Sequence, residues 1–139
     1  MLAERFDDLR VYQQAFDLAT RIFTLSRGWP RHEMYSLTSQ VRRSSRSVCA
    51  NIAEAWRKRR YVPHFVSKLS DADAEAAETQ NWLKFAASSG YVPEKTRQEL
   101  CAGYDAVSGG LVKMMAEPQT WCGPSSMVKE DHVEYEVSG

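Results

Sequence analysis

Residues 65–86 restrict the fold of this chain more than any other stretch. Their apolar and small side chains recur at a strict 4-3-4-3-4-3 spacing, which is the pattern of a helix packed in a bundle or coiled coil. The residues in this pattern are Phe65, Leu69, Ala72, Ala76, Thr79, Leu83 and Ala86. Because three of these seven are alanine, a neighbouring helix can approach closely. The stretch therefore predicts a long helix packed against other helices.

Three further stretches repeat with the same helical period. With residues 65–86 as the third helix of the chain, they form its first, second and fourth helices. The first helix repeats Leu9, Tyr12, Phe16, Ala19, Phe23 and Ser26. The second repeats Leu37, Val41, Ser44, Ser45, Val48, Ile52 and Ala55, and the fourth repeats Leu100, Tyr104, Val107, Leu111 and Met114. We expect the second helix to start between Arg31 and Met34 and to end near Arg59. Short connections between four such helices predict an all-α, antiparallel up-down four-helix bundle over residues 1–116.

The periodicity disappears from residue 117 onward. Residues 117–139 contain one Lys and five Asp/Glu, and Pro118 and the pair Gly123-Pro124 interrupt them. Such a composition is typical of a segment that does not pack a core. We expect an acidic, irregular and disordered C-terminal tail that orders only against a partner.

The chain has no net charge, but its charge is uneven. Residues 31–60 hold eight Lys/Arg against two Asp/Glu, and most of these cations are predicted to lie on the back of the second helix. This basic face consists of Arg42, Arg43, Arg46, Arg57, Lys58, Arg59 and Arg60. It could contact the phosphates of RNA or DNA with strong salt dependence and little sequence specificity.

A second use of the basic face is assembly. Asp71, Glu75, Glu78 and Trp82 share one side of the third helix, away from its alanine-rich seam. This acidic strip could dock on the basic face of the same subunit or of a neighbouring one, and the acidic tail could cover it as well. Trp82 lies outside the core pattern, as an interface anchor would. Both uses of the arginines remain open at this point.

Polar residues of the second helix border its core stripe. Ser47, Asn51, Glu54 and Lys58 fall beside the stripe, and Glu54 can pair with Lys58 four residues later. The favoured interpretation is a hydrogen-bonded border that sets helix register or a subunit contact. The alternative is a small-molecule or nucleic-acid pocket.

The residues argue against catalysis. A di-iron bundle needs Glu-x-x-His pairs, but Trp29, Tyr61 and Lys129 stand three residues before the three histidines. Cys49 lacks the local signature of a nucleophile. We therefore expect no enzyme activity, no cofactor and no metal. The odd count of three cysteines favours free thiols in a cytoplasm, and no apolar run is long enough for a membrane span.

Three stretches of the chain resemble a bacterial family of four-helix-bundle proteins whose founding members are encoded by intervening sequences in large-subunit ribosomal RNA genes. They are residues 6–13 (FDDLRVYQ), residues 37–56, and the run ending Glu78-Thr79-Gln80. The family motif residues here are Gln40, Arg43, Ser47, Asn51 and Glu54. Ala55 stands where the family usually has glycine, and Ala74-Glu75 where many members have Gly-Ser.

The resemblance implies a cytoplasmic, non-enzymatic bundle that forms a ring-like homo-oligomer, with a pentamer as the expected form. The family is also similar to the accessory protein of diversity-generating retroelements, which binds nucleic acid and a reverse transcriptase. The expected partners are therefore further copies of this chain, RNA or DNA, and a reverse transcriptase or another protein.

Overall fold

The computed structural model describes residues 2–123, and within them every regular element is helical. The long helices are α1 (Arg10–Ser26), α2 (Ser39–Arg57), α3 (Val62–Ser88) and α4 (Glu94–Ala116), followed by the short α5 (Gln119–Cys122). Each long helix packs on the next, and α4 packs back on α1. This architecture confirms the predicted four-helix bundle. No helix in the described part of the chain is long and apolar enough to cross a membrane.

The predicted core positions of α3 and α4 are confirmed. All seven residues of the α3 pattern and all five of the α4 pattern are buried. Among them, Ala72, Ala76 and Ala86 have no exposed surface, so neighbouring helices lie directly against these small side chains. Gly90 ends the α3 region with a φ of 81°, a conformation that glycine adopts without strain.

The start of the second helix differs from the prediction. A 3-10 turn (Arg31–Glu33) and a wide π-helical turn (Met34–Thr38) precede α2. The Glu33 carboxylate accepts hydrogen bonds from the Ser36 hydroxyl at 2.7 Å and from the Tyr91 hydroxyl at 2.7 Å. The bond from Tyr91 ties the α1–α2 connection to the α3–α4 connection, and the bond from Ser36 holds the turn that precedes the regular helix.

The core-facing side of α1 was predicted in part: Leu9, Ala19 and Ser26 are buried as expected, whereas Tyr12, Phe16 and Phe23 are not. Its buried residues are Val11, Ala15, Ala19, Ile22 and Ser26. Phe16 and Phe23 instead face outward, with 53% and 37% of their surface exposed. The predicted and the buried stripe share Ala19 and Ser26. At the other positions the bundle buries the preceding, smaller residue, namely Val11, Ala15 and Ile22 in place of Tyr12, Phe16 and Phe23.

Two glycines of α4 account for this choice. A Cβ atom added at Gly110 would lie 2.5 Å from Val11 Cγ1, and one added at Gly103 would lie 2.7 Å from Leu18 Cδ2. The absence of side chains at these positions lets α1 approach α4 closely. Large aromatic rings on this side of α1 would not fit the same separation.

The helical structure continues beyond Ala116. Residues 119–122, part of the segment predicted to be an irregular tail, form α5, and Cys122 is buried. Trp121 packs against the core from the same helix. The predicted disorder of residues 124–139 lies outside the described residues.

Candidate interaction surface

An aromatic strip runs along the outer side of α1. Phe6, in the turn before α1, packs edge-on against Tyr12 with ring centroids 5.0 Å apart. Tyr12 stacks in turn on Phe16 at 6.0 Å. Phe23 lies two turns further along the helix, with Ala19 and Thr20 between, and the bundle leaves Phe16 and Phe23 partly uncovered.

Two arginines of α2 lie against this strip. Arg42 Nε donates a hydrogen bond to Ser26 Oγ at 2.8 Å, and its guanidinium lies 4.6 Å from the centre of the Phe23 ring. The Arg46 guanidinium lies 5.3 Å from the same ring. Cation–π contacts of this kind hold both charges close to apolar surface. These arginines therefore border the aromatic strip.

The strip and α2 enclose an open groove of about 550 Å³, called here the α1–α2 groove. Small residues of α2, Cys49, Ala50 and Ala53, form its α2 side, and Arg46 borders it. An apolar groove with a charged border can bury apolar side chains of a partner while pairing with an acidic group at its edge.

Arg43 points to the other side of α2, toward α3. Its guanidinium lies 3.4 Å from the Glu75 carboxylate and also donates to the Glu78 carboxylate. Trp82 Nε1 donates to Glu78 Oε2 at 3.1 Å, and its ring lies 6.1 Å from that of Phe85. The pairing between acidic strip and basic face therefore occurs within one chain. The role of Trp82 as an oligomer anchor stays a prediction.

The remaining cations of the predicted face cluster at the C-terminal end of α2. Arg57 and Lys58 are exposed, whereas the Arg59 guanidinium stacks 3.9 Å from the Trp56 ring centre and donates to Trp56 O at 2.7 Å. Eleven residues separate Arg46 from Arg57, about 16 Å along a helix. The seven residues predicted as one basic face thus form three separate groups: Arg42 and Arg46, then Arg43, then Arg57 with Lys58, Arg59 and Arg60.

A polar depression of about 260 Å³ lies beside this last group. It is lined by Glu4, Arg5, Phe6, Trp56, Arg57 and Arg59. Three of its six residues are arginines, and guanidinium groups pair favourably with carboxylates and phosphates. We call it the basic depression.

The polar motif of α2 forms a border. Asn51 Nδ2 donates to Ser47 O at 2.9 Å and lies 3.1 Å from Ser47 Oγ. Glu54 pairs with Lys68 of α3 at 2.8 Å rather than with Lys58, and Lys68 lies 4.0 Å from Asp71. Motif residues thus contact one another and α3, which favours the structural interpretation over a pocket. Gln40 is half-buried at the start of α2.

A buried hydroxyl pair between α2 and α3 was not anticipated. Thr79 Oγ1 and Ser44 Oγ lie 2.8 Å apart, and both side chains are fully buried. Their positions follow the core pattern, but neither residue type signals a partner on another helix. Pairing both hydroxyls avoids the cost of an unsatisfied polar group in the core.

Cys49 should react slowly with alkylating reagents. Burial raises the pKa of its thiol from 9.0 to about 11. At pH 8 this shift leaves about a hundredfold less thiolate than an ordinary cysteine has, and the thiolate is the reacting species. Mass spectrometry after iodoacetamide treatment should show slow labelling of Cys49 in the folded protein and fast labelling in urea. Rapid native labelling at pH 7 would instead indicate an activated cysteine.

These features define a class: a helical bundle with an uncovered aromatic groove and, within residues 2–123, no group of three or more side chains that could hold a metal ion. Residues 7–113 match the family described as 23S rRNA-intervening sequence protein, and the chain belongs to that family.

A solved structure shares the fold. It is described as a protein with unknown function from the S23 ribosomal protein family of Bacteroides thetaiotaomicron VPI-5482. The two chains are 23% identical, and the match covers 76% of this chain and 97% of the other with a TM-score of 0.66. The comparison with curated proteins finds no match.

Proposed function

We propose that the protein is a non-enzymatic adaptor that self-associates through the α1–α2 groove. The observation that carries this proposal is the exposure of Phe16 beside Tyr12 and Phe23 on a helix that buries alanines instead. Contiguous aromatic side chains on a soluble protein mark interaction sites, because water contact with them is unfavourable. The family resemblance, with its ring-like homo-oligomer, points in the same direction.

The composition of the surface supports a protein partner. Phe16 and Phe23 expose 53% and 37% of their surface, so the rings supply part of the roughly 800 Å² that each partner contributes to a stable interface. Aromatic residues and arginine are also the types enriched in interface cores. The α1–α2 groove contains both.

A second copy offers a matching surface on α3. Phe85 is 55% exposed and lies beside Trp82, which is bonded to Glu78. Phe85 could enter the α1–α2 groove of a neighbouring copy as an apolar contact, because Glu75 and Glu78 of its own chain already pair with Arg43. Such a contact joins two different surfaces, so repeating it closes a ring when the rotation allows.

The substitution Phe16→Asp should break the oligomer. A carboxylate at the centre of the groove would have to lose its water on association, which costs more than a surface contact returns. The matched control is Val112→Asp on α4, because Val112 has the same 53% exposure but does not line the groove. Light scattering should report a smaller mass for Phe16→Asp only.

Two results would count against this proposal. One is an unchanged oligomer mass for Phe16→Asp with an unchanged circular dichroism spectrum. The other is a purified parent protein that remains a monomer at tens of micromolar. Loss of mass together with loss of helical signal would show unfolding, and the milder Phe16→Ser then provides the test.

A second candidate function, weakly sequence-specific RNA or DNA binding, is favoured by the exposed cations at the basic depression. Copies of Arg57 and Lys58 in an oligomer would contact several phosphates together. Fluorescence anisotropy with a labelled RNA and a DNA duplex tests this across a salt series. Arg57→Gln with Lys58→Gln should weaken binding to all sequences, whereas Arg43→Gln should not, because Arg43 already pairs with Glu75 and Glu78. A reverse transcriptase would be a further partner in this case.

A further inference from the structure

We propose that the acidic segment 124–139 binds the basic depression of its own chain and thereby covers the C-terminal end of α2. This proposal goes beyond self-association, since it concerns a neighbouring surface that shares only Phe6 with the α1–α2 groove, and a different occupant. It rests on where the described chain ends, on charge, and on the reach of the segment.

The described chain ends beside the basic depression. The helices alternate in direction, so the end of α2, the start of α3 and the end of α4 lie at one end of the bundle. At this end α5 packs on α3, and Cys122 is buried close enough to Arg59 for the arginine charge to act on its thiol. The last described residue, Gly123, directly follows Cys122 and therefore lies at the same end of the bundle as the residues that line the depression.

The charges of the two parts are opposite. Residues 124–139 contain one Lys and the acids Glu130, Asp131, Glu134 and Glu136, a net charge of −3. The depression offers Arg5, Arg57 and Arg59 against Glu4, and Arg5 also pairs with Asp7 at 3.1 Å. The Arg59 guanidinium is already held by Trp56, so it loses little conformational freedom on binding a carboxylate.

The segment is long enough to reach. Glu130 lies seven residues beyond Gly123, which corresponds to about 23 Å of extended chain. Neighbouring helices in a bundle are about 8–10 Å apart, so this length crosses the end of the bundle. A covalently linked segment also acts at a high effective concentration, which compensates for the modest strength of exposed ion pairs.

Zero-length carbodiimide coupling of the full-length protein tests the proposal, because it joins a carboxylate only to an amine in contact with it. Lys58 adjoins the depression, and the exposed Lys95 at the opposite end of the bundle is the matched control. We expect peptides that join Lys58 to residues 130–136, and no such peptides with Lys95. A mixture of normal and isotope-labelled chains reports whether both ends belong to one chain.

The charge dependence provides the second readout. The four acids cannot be replaced in this test, because they are the groups that the carbodiimide couples. The variant Arg57→Gln with Arg5→Gln changes the basic side instead and keeps all four carboxylates. Each exposed ion pair changes the equilibrium constant for binding of the segment by a factor of about two. The double variant should therefore reduce the yield of peptides coupled to Lys58 about fourfold. Equal coupling to Lys58 and Lys95, or an unchanged yield in the variant, would overturn the proposal. Coupled peptides that join a normal chain to an isotope-labelled chain would show that the segment binds another copy, and would overturn binding within one chain. None of these outcomes depends on whether the α1–α2 groove associates.

Discussion

Ala76→Leu should lower the free energy of unfolding by about 3 kcal/mol, at the upper end of what overpacking of a core costs. Ala76 is fully buried in α3 between the helices that flank it. Three additional carbon atoms at this position must either push a neighbouring helix away or adopt a strained side-chain conformation. The interior is already close-packed, so both responses cost free energy.

The adjacent residue provides the control for this experiment. Ala77→Leu places the same side chain on the exposed side of α3 and should change stability by less than about 0.5 kcal/mol. Urea unfolding followed by circular dichroism measures both variants at one protein concentration. Equal midpoints for Ala76→Leu and Ala77→Leu would show that the seam contains unfilled space.

Gly110→Ala and Gly109→Ala should change stability in opposite directions. A methyl group at Gly110 meets Val11 Cγ1 at 2.5 Å, and Val11 is β-branched and cannot easily turn away. We expect a loss of about 2 kcal/mol, the cost of forcing a methyl group into a packed interface. No atom lies within 4 Å of a methyl group at Gly109, so that variant should gain about 0.5–1 kcal/mol from helix propensity.

Thermal and urea unfolding of the two glycine variants distinguish close packing from helix fraying. If Gly109-Gly110 were only a weak point of α4, both alanine variants would be more stable than the parent. A gain in stability for Gly110→Ala would therefore contradict the close approach of α1 and α4. It would also remove the explanation for the outward position of the aromatic strip.

The four long helices and the buried sides of α3 and α4 could be predicted from sequence, whereas the short α5 could not. The spacing of Leu69, Ala76 and Leu83 leaves one apolar side of α3, so any bundle must bury it. Trp56, which follows Ala55 at the end of α2, was not anticipated as a core residue, yet it is buried. Its burial depends on Arg59, which covers its ring.

The candidate site was predicted less well. The binding role of these residues stays a prediction, and Arg42, Arg43 and Arg57 project into different environments instead of forming one face. A helical wheel places side chains by angle alone. Long arginine side chains then bend toward the nearest ring or carboxylate, as Arg42 does toward Phe23 and Arg43 toward Glu78.

Sequence alone determined that this chain is a bundle of four helices, because periodicity is a local property of each segment. Only the tertiary structure decided which side of α1 is buried. That choice depends on Gly110, which accepts Val11 at close range, and on Gly103, which accepts Leu18. Each glycine lies more than eighty residues along the chain from the side chain that it accepts. The aromatic strip of α1 is exposed as a consequence, since a helix cannot pack both of its apolar stripes against the same neighbours.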